Sequence, residues 1–352
     1  MENKLKTLLD KLIKTHSLEL NEYEYILDNR SDEVFDFISS KARELANFYY
    51  KNNIFLRGLI EISNICTKDC YYCGIRKSNK KCSRYRLNKE DILTCCDEGY
   101  KLGFRTFVLQ GGEDPYFDDK RLCDIIKSIK EKYPSCAITL SLGEKSKESY
   151  KALFDAGADR YLLRHETANE QHYKKLHPIN QTLTDRIKSL KALKEIGFQV
   201  GCGFMVGSPF QSNKALAQDL KFIEIFKPDM CGVGPFIPHK DTPFKDYSAG
   251  DIKLTLFLLS LIRIIYPPVL LPATTALGTL DEFGREKAIY AGANIIMPNL
   301  SPKEVRKKYM LYDNKKSDGD EAAESKDSLE KRINNIGYNV LVSRGDINKK
   351  IF

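Results

Sequence analysis

The sequence contains no apolar run that is long enough to cross a lipid bilayer. Its most hydrophobic stretch, Leu254 to Leu271, is interrupted by Arg263 and by Pro267-Pro268, so only about a dozen residues can continue as one helix. This stretch therefore predicts a buried helix of a soluble fold. The segment MENKLKTLLDKLIKTHSLEL also lacks the apolar core and the small-residue cleavage site of a secretory signal. We expect a cytoplasmic protein with no membrane partner.

A block of charge of one sign is also missing. The net charge is +8 over 352 residues, but Lys and Arg are spread along the chain, which is typical of a solvated surface and argues against nucleic-acid binding. Hydrophobic residues make up 42% of the chain, which supplies a large core and excludes a wholly disordered protein. The ten cysteines need a reducing or anaerobic compartment if they are not to cross-link at random.

No G-x-G-x-x-G fingerprint follows the first strand candidate, which disfavours an open doubly wound sheet. Instead, short β-rich runs alternate with amphipathic helical patterns. Eight strand candidates with seven helical patterns between them are what a complete (β/α)8 barrel requires. The strand candidates are 56–63, 106–110, 137–142, 161–166, 199–206, 230–236, 270–276 and 293–299. Helical patterns between them include 88–102, 118–132, 182–195, 212–226 and 250–265.

This pattern predicts three parts of the chain. Residues 1–47 are expected to form helices that pack on the barrel, and residues 48–312 form the barrel itself. Residues 313–352 are expected to be a polar, partly flexible C-terminal segment. Its first part, Asp313 to Arg332, is almost devoid of apolar residues, so we expect it to have little to bury.

The strongest local signal is the cysteine motif Cys66-x3-Cys70-x2-Cys73. It directly follows the first strand candidate, at the end of a barrel where active sites lie. Three thiolates at this spacing can hold three irons of a [4Fe-4S] cluster and leave the fourth iron open to a chelating ligand. A structural zinc site is the alternative, but zinc needs a fourth ligand, and neither His165 nor Cys82 completes a familiar spacing.

A C-x3-C-x2-C motif with an aromatic residue, here Tyr72, before the last cysteine resembles the signature of the radical S-adenosylmethionine (SAM) superfamily. Gly111-Gly112-Glu113 closes the second strand candidate and resembles the superfamily's G-G-E segment, which receives the SAM ammonium group. Glycines there allow a close approach of the backbone. The resemblance implies a [4Fe-4S] cluster and SAM as cofactors, and a 5′-deoxyadenosyl radical as the reactive species.

The alternation of side chains along two strand candidates gives an independent prediction. Thr139 and Ser141 share one face of a strand whose other face is apolar, so their hydroxyl groups should point into the barrel. Arg164 and Glu166 share a face of the next strand, and placing both charges in the helix layer would be costly without partners. They should therefore point into a polar cavity, or else form a structural ion pair inside the barrel.

Other candidates lie near the ends of later elements. Met297, at the upper end of the last strand candidate, either fills the core or lines a pocket. Tyr309 and Tyr312 lie one turn apart on the following segment and could close that pocket. Arg186 comes just after the loop that follows the fourth strand candidate, and a lone arginine on a helix is normally a surface residue.

Eight stretches taken together and in this order resemble the HydE family, the radical SAM maturases of [FeFe]-hydrogenase. The resemblance runs from about Leu56 to Tyr312, over RGLIEISNCTKDCYYCG, VLQGGEDPY, TLSLGE, AGADRYLLRHETAN, MVGSP, GPFIPHKDTP, PATTALGT and NIIMPN. It implies cluster ligands at Cys66, Cys70 and Cys73, and SAM contacts at Ser141, Glu166 and Arg186. It implies substrate-cavity residues at Thr139, Arg164, Met297, Tyr309 and Tyr312.

The family also implies a task. The substrate would be a small cysteine-bound iron carbonyl-cyanide unit made by the partner maturase HydG, and the product would lead to the diiron dithiomethylamine subcluster. HydF and an electron donor would be further partners. The alternatives are another radical SAM mutase or lyase on an amino-acid-like substrate, similar to 3-methylornithine synthase or biotin synthase, and a non-catalytic iron-sulfur scaffold.

The sequence departs from some family members in one respect. They carry a second iron-sulfur site after the last barrel strand, whereas no cysteine follows Cys231 here, so we expect no second cluster. Cys202 lies one residue away from the position at which biotin synthase holds its sacrificial cluster. A one-residue offset turns the side chain to the other face of a strand, which argues against sulfur donation.

Overall fold

Three helices precede the barrel in the computed structural model, which describes residues 1–317 and 319–349. They are α1 (Asn3–Thr15), α2 (Leu20–Asp28) and α3 (Asp32–Tyr50). In α1, Leu5, Leu9 and Leu12 recur at helical spacing and are all buried, because this apolar face packs on the barrel's outer helices.

A ring of parallel strands follows. The strands are β1 (Asn53–Leu56), β2 (Gly58–Ser63), β3 (Thr106–Gly111), β4 (Ala137–Ser141), β5 (Arg160–Leu162), β6 (Gln199–Cys202), β7 (Met205–Val206), β8 (Met230–Cys231), β9 (Gly234–Pro235), β10 (Ile295–Ile296) and β11 (Asn339–Leu341). Six of them form one sheet in the order β2-β3-β4-β5-β6-β8.

Single parallel bridges close this sheet into a barrel. Met230 pairs with Leu270, Pro272 pairs with Ile295, and Asn299 pairs with Leu59 of β2. The complete (β/α)8 barrel predicted from the sequence is therefore confirmed. The predicted seventh strand, 270–276, is reduced to these isolated bridges because a helix already begins at Thr275.

Helices connect the strands and form the outer layer. They are α4 (Lys89–Lys101), α5 (Asp119–Lys132), α6 (Lys147–Asp155), α7 (Glu170–Leu176), α8 (Leu183–Ile196), α9 (Asn213–Phe226), α10 (Ile252–Ile265), α11 (Thr275–Leu280), α12 (Gly284–Tyr290), α13 (Lys303–Arg306) and α14 (Lys326–Asn335). Short 3-10 turns lie at Gly319–Glu321 and Ala323–Ser325. Side chains at the N-caps, such as Ser146 and Ser212, accept hydrogen bonds from the first turns and fix where several helices begin.

The hydrophobic stretch that ends near Leu271 forms α10, which is buried between the barrel and α3. Arg263 interrupts it without exposure to water, because its guanidinium donates to the carbonyl oxygens of Pro267, Val269 and Gly292. Among the described residues, no helix is both long enough and apolar enough to pass through a membrane.

The segment after the barrel is more deeply packed than its composition predicts. Ala322, Ala323, Leu329 and Ile333 are all buried. The Ala322 backbone also pairs with Asn299 at the end of the last barrel strand. The expectation that this polar segment has little to bury is therefore wrong, because Ala323, Leu329 and Ile333 pack into the hydrophobic core.

The end of the described chain closes the lower end of the barrel. Strand β11 pairs in parallel with β1, and the residues after it run beneath the barrel. There Asp346 forms an ion pair with Arg160, and the Gly345 carbonyl oxygen accepts a hydrogen bond from the buried Arg57 at 3.2 Å. The barrel consequently opens to solvent mainly at its other end, where the strands terminate.

Candidate active site

The three cysteines of the motif lie on the loop after β2 and line one cavity of about 350 Å³ at the upper end of the barrel. The Thr67 N–H donates to the Glu113 carbonyl oxygen at 3.0 Å, which ties this loop to the end of β3. The Glu113 N–H in turn points at Cys66 Sγ, 3.4 Å away. Backbone contacts from the neighbouring strand thus hold the first cysteine in place.

The three thiols would need a bound cation in order to become thiolates. Burial raises the pKa of the Cys66 thiol, raises that of Cys70 to about 12, and raises that of Cys73 well above its usual range. Thiolates here therefore need iron or another cation to form. Among residues 1–317 and 319–349, no three His, Cys, Asp or Glu side chains are arranged around a single metal ion.

The space beside Cys66 depends on the absence of a side chain at Gly112. A Cβ atom there would lie 2.2 Å from the Ile65 carbonyl oxygen and 2.8 Å from Cys66 Cβ. Gly111 and Gly112 also line the cavity, so their backbone is open to a ligand.

Tyr72 is held on the cavity wall by His177. The His177 Nδ1 atom lies 3.0 Å from the Tyr173 carbonyl oxygen, so Nδ1 carries the proton and Nε2 accepts from the Tyr72 hydroxyl at 3.2 Å. Burial lowers the pKa of His177 to about 3, which keeps the ring neutral. The tyrosine ring is thereby fixed on the wall of the cavity that the three cysteines also line.

Charged side chains at the ends of β3 and β4 form a linked network. Arg186, in the first turn of α8, donates to Glu144 at 2.6 Å, and Lys68 lies 3.1 Å from the other oxygen of the same carboxylate. Burial would raise the pKa of Glu144, but the attraction of Arg186 and Lys68 outweighs it and lowers the pKa. Lys68 is also 3.7 Å from Glu113, so the Glu113 carboxylate belongs to this network. Ser141 lines the cavity beside it.

Arg164 and Glu166 both line the cavity, although β5 ends at Leu162 and strand alternation therefore does not set their direction. Their nearest charged atoms are 3.3 Å apart, which is close enough for an ion pair. Glu166 Oε2 and two guanidinium nitrogens of Arg164 are nevertheless buried without a hydrogen bond in the described part of the chain. Buried polar atoms are normally hydrogen-bonded, so these groups are available to a polar ligand.

Glu166 reaches the cavity through an unusual backbone conformation. Its φ angle is +64°, in the left-handed region that side chains other than glycine rarely adopt. A buried pair behind it braces the bend: His165 Nε2 lies 3.3 Å from Asp219, which accepts a hydrogen bond from the Ala168 N–H. Burial raises the pKa of Asp219. This pair was not predicted from the sequence, because Asp219 lies on α9, far from His165 along the chain.

The far side of the cavity is aromatic and carries one buried ion pair. Met297, Tyr309 and Tyr312 all line it. Lys315 reaches in from the C-terminal segment and lies 2.7 Å from Glu61 of β2, with both side chains almost completely buried. This pair was missed from the sequence, because a lysine in a polar segment gives no signal that it enters a cavity.

The positions of Thr139 and Cys202 can be compared with the sequence predictions. Thr139 faces the barrel axis, but it lines a small separate cavity below the main one, so its prediction as a residue of the main cavity does not match the structure. It precedes Ser141 by two residues, which puts it about 7 Å lower along the strand. Cys202 points into the helix layer beside Cys231 of the neighbouring strand, as the one-residue offset predicts.

Comparison with known proteins identifies the superfamily to which the chain belongs. Residues 60–223 match the Radical SAM superfamily. The crystal structure of methylornithine synthase (PylB) superposes with a TM-score of 0.83 at 27% identity, covering 95% of this chain and 97% of that one. The crystal structure of HydG, a maturase of the [FeFe]-hydrogenase, superposes with a TM-score of 0.79 at 20% identity, covering 95% of this chain and 75% of that one, which shows the shared fold. The barrel with its cysteine loop is that of a radical SAM enzyme.

Sequence similarity then gives the family. The chain is 45% identical over 274 residues to the [FeFe] hydrogenase maturase subunit HydE of Thermotoga maritima, covering 78% of each protein. It is 28% identical to the 3-methylornithine synthase of Methanosarcina barkeri, over 84% of this chain and 83% of that one. The chain belongs to the HydE family of radical SAM enzymes, whose membership implies a [4Fe-4S] cluster and SAM.

Proposed function

We propose that this protein acts in the assembly of the [FeFe]-hydrogenase H-cluster, on a cysteine-bound iron carbonyl-cyanide precursor of the diiron dithiomethylamine subcluster. The observation that carries the proposal is a single cavity. Three thiols, a set of partly unsatisfied charged groups and an aromatic end all line it. Its lining therefore offers an iron-binding end, a polar middle and an apolar end to a substrate and a cofactor bound side by side.

Cys66, Cys70 and Cys73 would hold the [4Fe-4S] cluster. When bound, the cluster supplies the electron that cleaves SAM into methionine and the 5′-deoxyadenosyl radical. All three residues come from one loop and line the same cavity, so a group that they hold would be open to that cavity. With no cysteine beyond Cys231, we propose that this is the chain's one iron-sulfur cluster.

The polar middle of the cavity would hold SAM. The backbone at Gly111 and Gly112 would receive its ammonium group, and Arg186 would face its carboxylate. Glu166, with a carboxylate oxygen that lacks a hydrogen bond, would accept from the ribose hydroxyl groups. Glu144 fixes the guanidinium of Arg186 at 2.6 Å, so that group is oriented before SAM arrives.

The substrate would occupy the space between Arg164 and the aromatic end. Tyr309 and Tyr312 line this end and would enclose the substrate beside the radical, which reacts with any nearby C–H bond. The ion pair of Glu61 and Lys315 faces the same space and offers a carboxylate and an ammonium group to a zwitterionic amino-acid head group. HydG would supply the substrate, and HydF would receive the product.

The test is cell-free maturation of an apo-[FeFe]-hydrogenase with this protein supplied or withheld. We expect hydrogenase activity only when it is present, and release of 5′-deoxyadenosine from SAM. Cys66→Ala, Cys70→Ala and Cys73→Ala should each abolish both readouts, whereas Cys82→Ala and Cys202→Ala should keep about four irons per chain. Maturation that proceeds equally well without the protein would contradict the proposal.

A 3-methylornithine synthase activity is the second candidate, favoured by the 28% identity and the TM-score of 0.83. The same anaerobic reaction mixture distinguishes the two. Formation of 3-methylornithine, with no effect on hydrogenase maturation, would replace the first proposal by this one.

A further inference from the structure

A depression of about 590 Å³ lies on the surface directly outside the cysteine loop. Its floor includes Thr67 and Asp69 of that loop, together with Gln181 from the turn before α8. Gln181 Oε1 lies 3.4 Å from Cys70 Sγ on the other side of the floor. One side chain therefore separates this depression from an iron ligand of the proposed cluster.

The rim of the depression is basic. Lys77 and Lys80 line it and are exposed, and neither ammonium group has an ion-pair partner within residues 1–317 and 319–349. The acidic group in the floor is already neutralised. Asp69 forms an ion pair with the Arg76 guanidinium, so its charge is balanced within the loop. The depression thus presents positive charge that no acidic side chain beside it balances.

The segment that carries these lysines is fixed on the cysteine loop. The Lys77 N–H donates to the Lys68 carbonyl oxygen at 2.9 Å, and the ion pair of Arg76 with Asp69 spans 2.7 Å. Ile179, on the opposite edge, is fully exposed. Ile179 adds one apolar side chain to the edge of this basic depression.

We propose that this depression is the docking site of a small acidic protein that carries one electron. The inference rests on the proposed function, because reductive cleavage of SAM needs an electron from outside the chain. The docked carrier loses one electron and the site bounded by the three cysteines gains it; no bond forms or breaks and no proton moves. Basic side chains around the entry point would steer and orient the acidic face of the carrier.

Binding is the first test. A strongly acidic bacterial ferredoxin is the probe, and its affinity for the cluster-loaded protein is measured by anaerobic calorimetry at low ionic strength. We expect the double variant Lys77→Glu/Lys80→Glu to bind at least about tenfold more weakly, with the difference shrinking as salt is added. The control is Lys127→Glu/Lys191→Glu, which makes the same charge change at exposed lysines on α5 and α8 and should stay within about threefold of the native affinity.

Electron delivery is the second test. With reduced ferredoxin, 5′-deoxyadenosine formation by the depression variant should fall about tenfold, whereas with dithionite, which needs no docking, it should stay near the native rate. Equal effects of both variants, an unaffected depression variant, or a native protein that does not bind the ferredoxin would each overturn the proposal. The proposal would also be overturned if the two substitutions weakened binding of HydG and left binding of the ferredoxin unchanged. If the native protein formed no 5′-deoxyadenosine with dithionite, that result would contradict the proposed function. The calorimetry would still decide whether the ferredoxin binds at the depression.

Discussion

At the scale of single residues, the cavity is lined by charged groups that are held from behind, and two of them, Arg164 and Glu166, keep buried polar atoms without a hydrogen bond in the described part of the chain. Arg186 is held by Glu144, and the bend that presents Glu166 is braced by His165 and Asp219. Each inner group consequently keeps its orientation without a ligand. Such preorganisation is what binding a polar cofactor next to a reactive radical requires.

Glu166→Gln is expected to weaken SAM binding roughly ten- to a hundredfold, because a charge-assisted hydrogen bond contributes about 1.5–3 kcal/mol. The measurement is equilibrium SAM binding to the cluster-loaded variant, together with the melting temperature of the SAM-free form. Glu170→Gln, the same change at an exposed position of α7, serves as the control. A large loss of stability with native SAM affinity would mean that Glu166 acts only as the ion-pair partner of Arg164.

His172 gives the fold a pH dependence that can be isolated by mutation. Burial lowers its pKa to about 4, and its Nε2 donates to the Pro209 carbonyl oxygen at 3.1 Å. The unfolded chain gains a proton near pH 6.5, but the folded protein does not until about pH 4. Stability is therefore full above pH 6.5 and falls with decreasing pH, by up to about 1.4 kcal/mol per pH unit.

His172→Gln keeps a hydrogen-bond donor but cannot become charged. We expect the free energy of unfolding of the native protein to fall relative to this variant by about 2–3 kcal/mol between pH 6.5 and 4.5. Denaturant unfolding of the apoprotein at several pH values measures the difference, and the other histidines cancel because both proteins contain them. Parallel curves for the two proteins would show that His172 is not held neutral.

At the scale of elements, local patterns predicted most of the barrel. The helices α4, α5, α8 and α9 each begin and end within one or two residues of the predicted ranges, because their apolar periodicity and their caps are encoded locally. Strand alternation places Ser141 on the cavity side, whereas Glu166 lies beyond the end of β5 and reaches the cavity through its left-handed backbone conformation. Thr139 shows the limit of that argument, because alternation gives the face of a strand but not the depth along the barrel axis.

Gly112 lies at the contact between two elements, the end of β3 and the cysteine loop. Gly112→Ala would force a Cβ atom to within 2.2 Å of the Ile65 carbonyl oxygen, and backbone cannot yield there without moving the loop. We expect the iron content after anaerobic reconstitution to fall to less than about half of the native value, since the first ligand is displaced.

Gly232→Ala is the matched control, because its Cβ atom would meet nothing nearer than the Cys202 carbonyl oxygen at 3.9 Å. It should load iron normally. Normal iron loading by Gly112→Ala would show that the cysteine loop can shift to accommodate a side chain.

At the scale of the whole molecule, the features missed from the sequence are all contacts between distant segments. Lys315 enters the cavity and Glu321 pairs with the buried Arg285, although both come from a stretch whose composition predicts a solvated linker. Composition indicates how much apolar surface a segment can bury. It does not indicate which barrel residue will form an ion pair with a charged residue of that segment. Glu61, buried on β2, could in principle have signalled a partner, since a buried carboxylate is rarely left unpaired.

The two ends of the barrel differ. The cysteine motif lies at one end, where active sites of such barrels are found, and the C-terminal residues close the other end. At the closed end, the chain after Tyr338 supplies β11, the Asp346 partner of Arg160 and the carbonyl oxygen that Arg57 bonds. Truncation after Tyr338 would leave these two buried guanidinium groups short of partners, at a cost of about 1–3 kcal/mol each. The loss of the hydrogen bonds between β11 and β1 would lower the stability further.

We therefore expect the truncated protein to melt several degrees lower. Amide hydrogen exchange should become faster in β1 and at the start of β5, which lie next to the removed segment. SAM affinity should stay within about threefold of the native value, because the cavity lining lies entirely within residues 59–315. An unchanged melting temperature would show that the segment only covers the barrel, and a loss of SAM binding without loss of stability would show that the two ends are coupled.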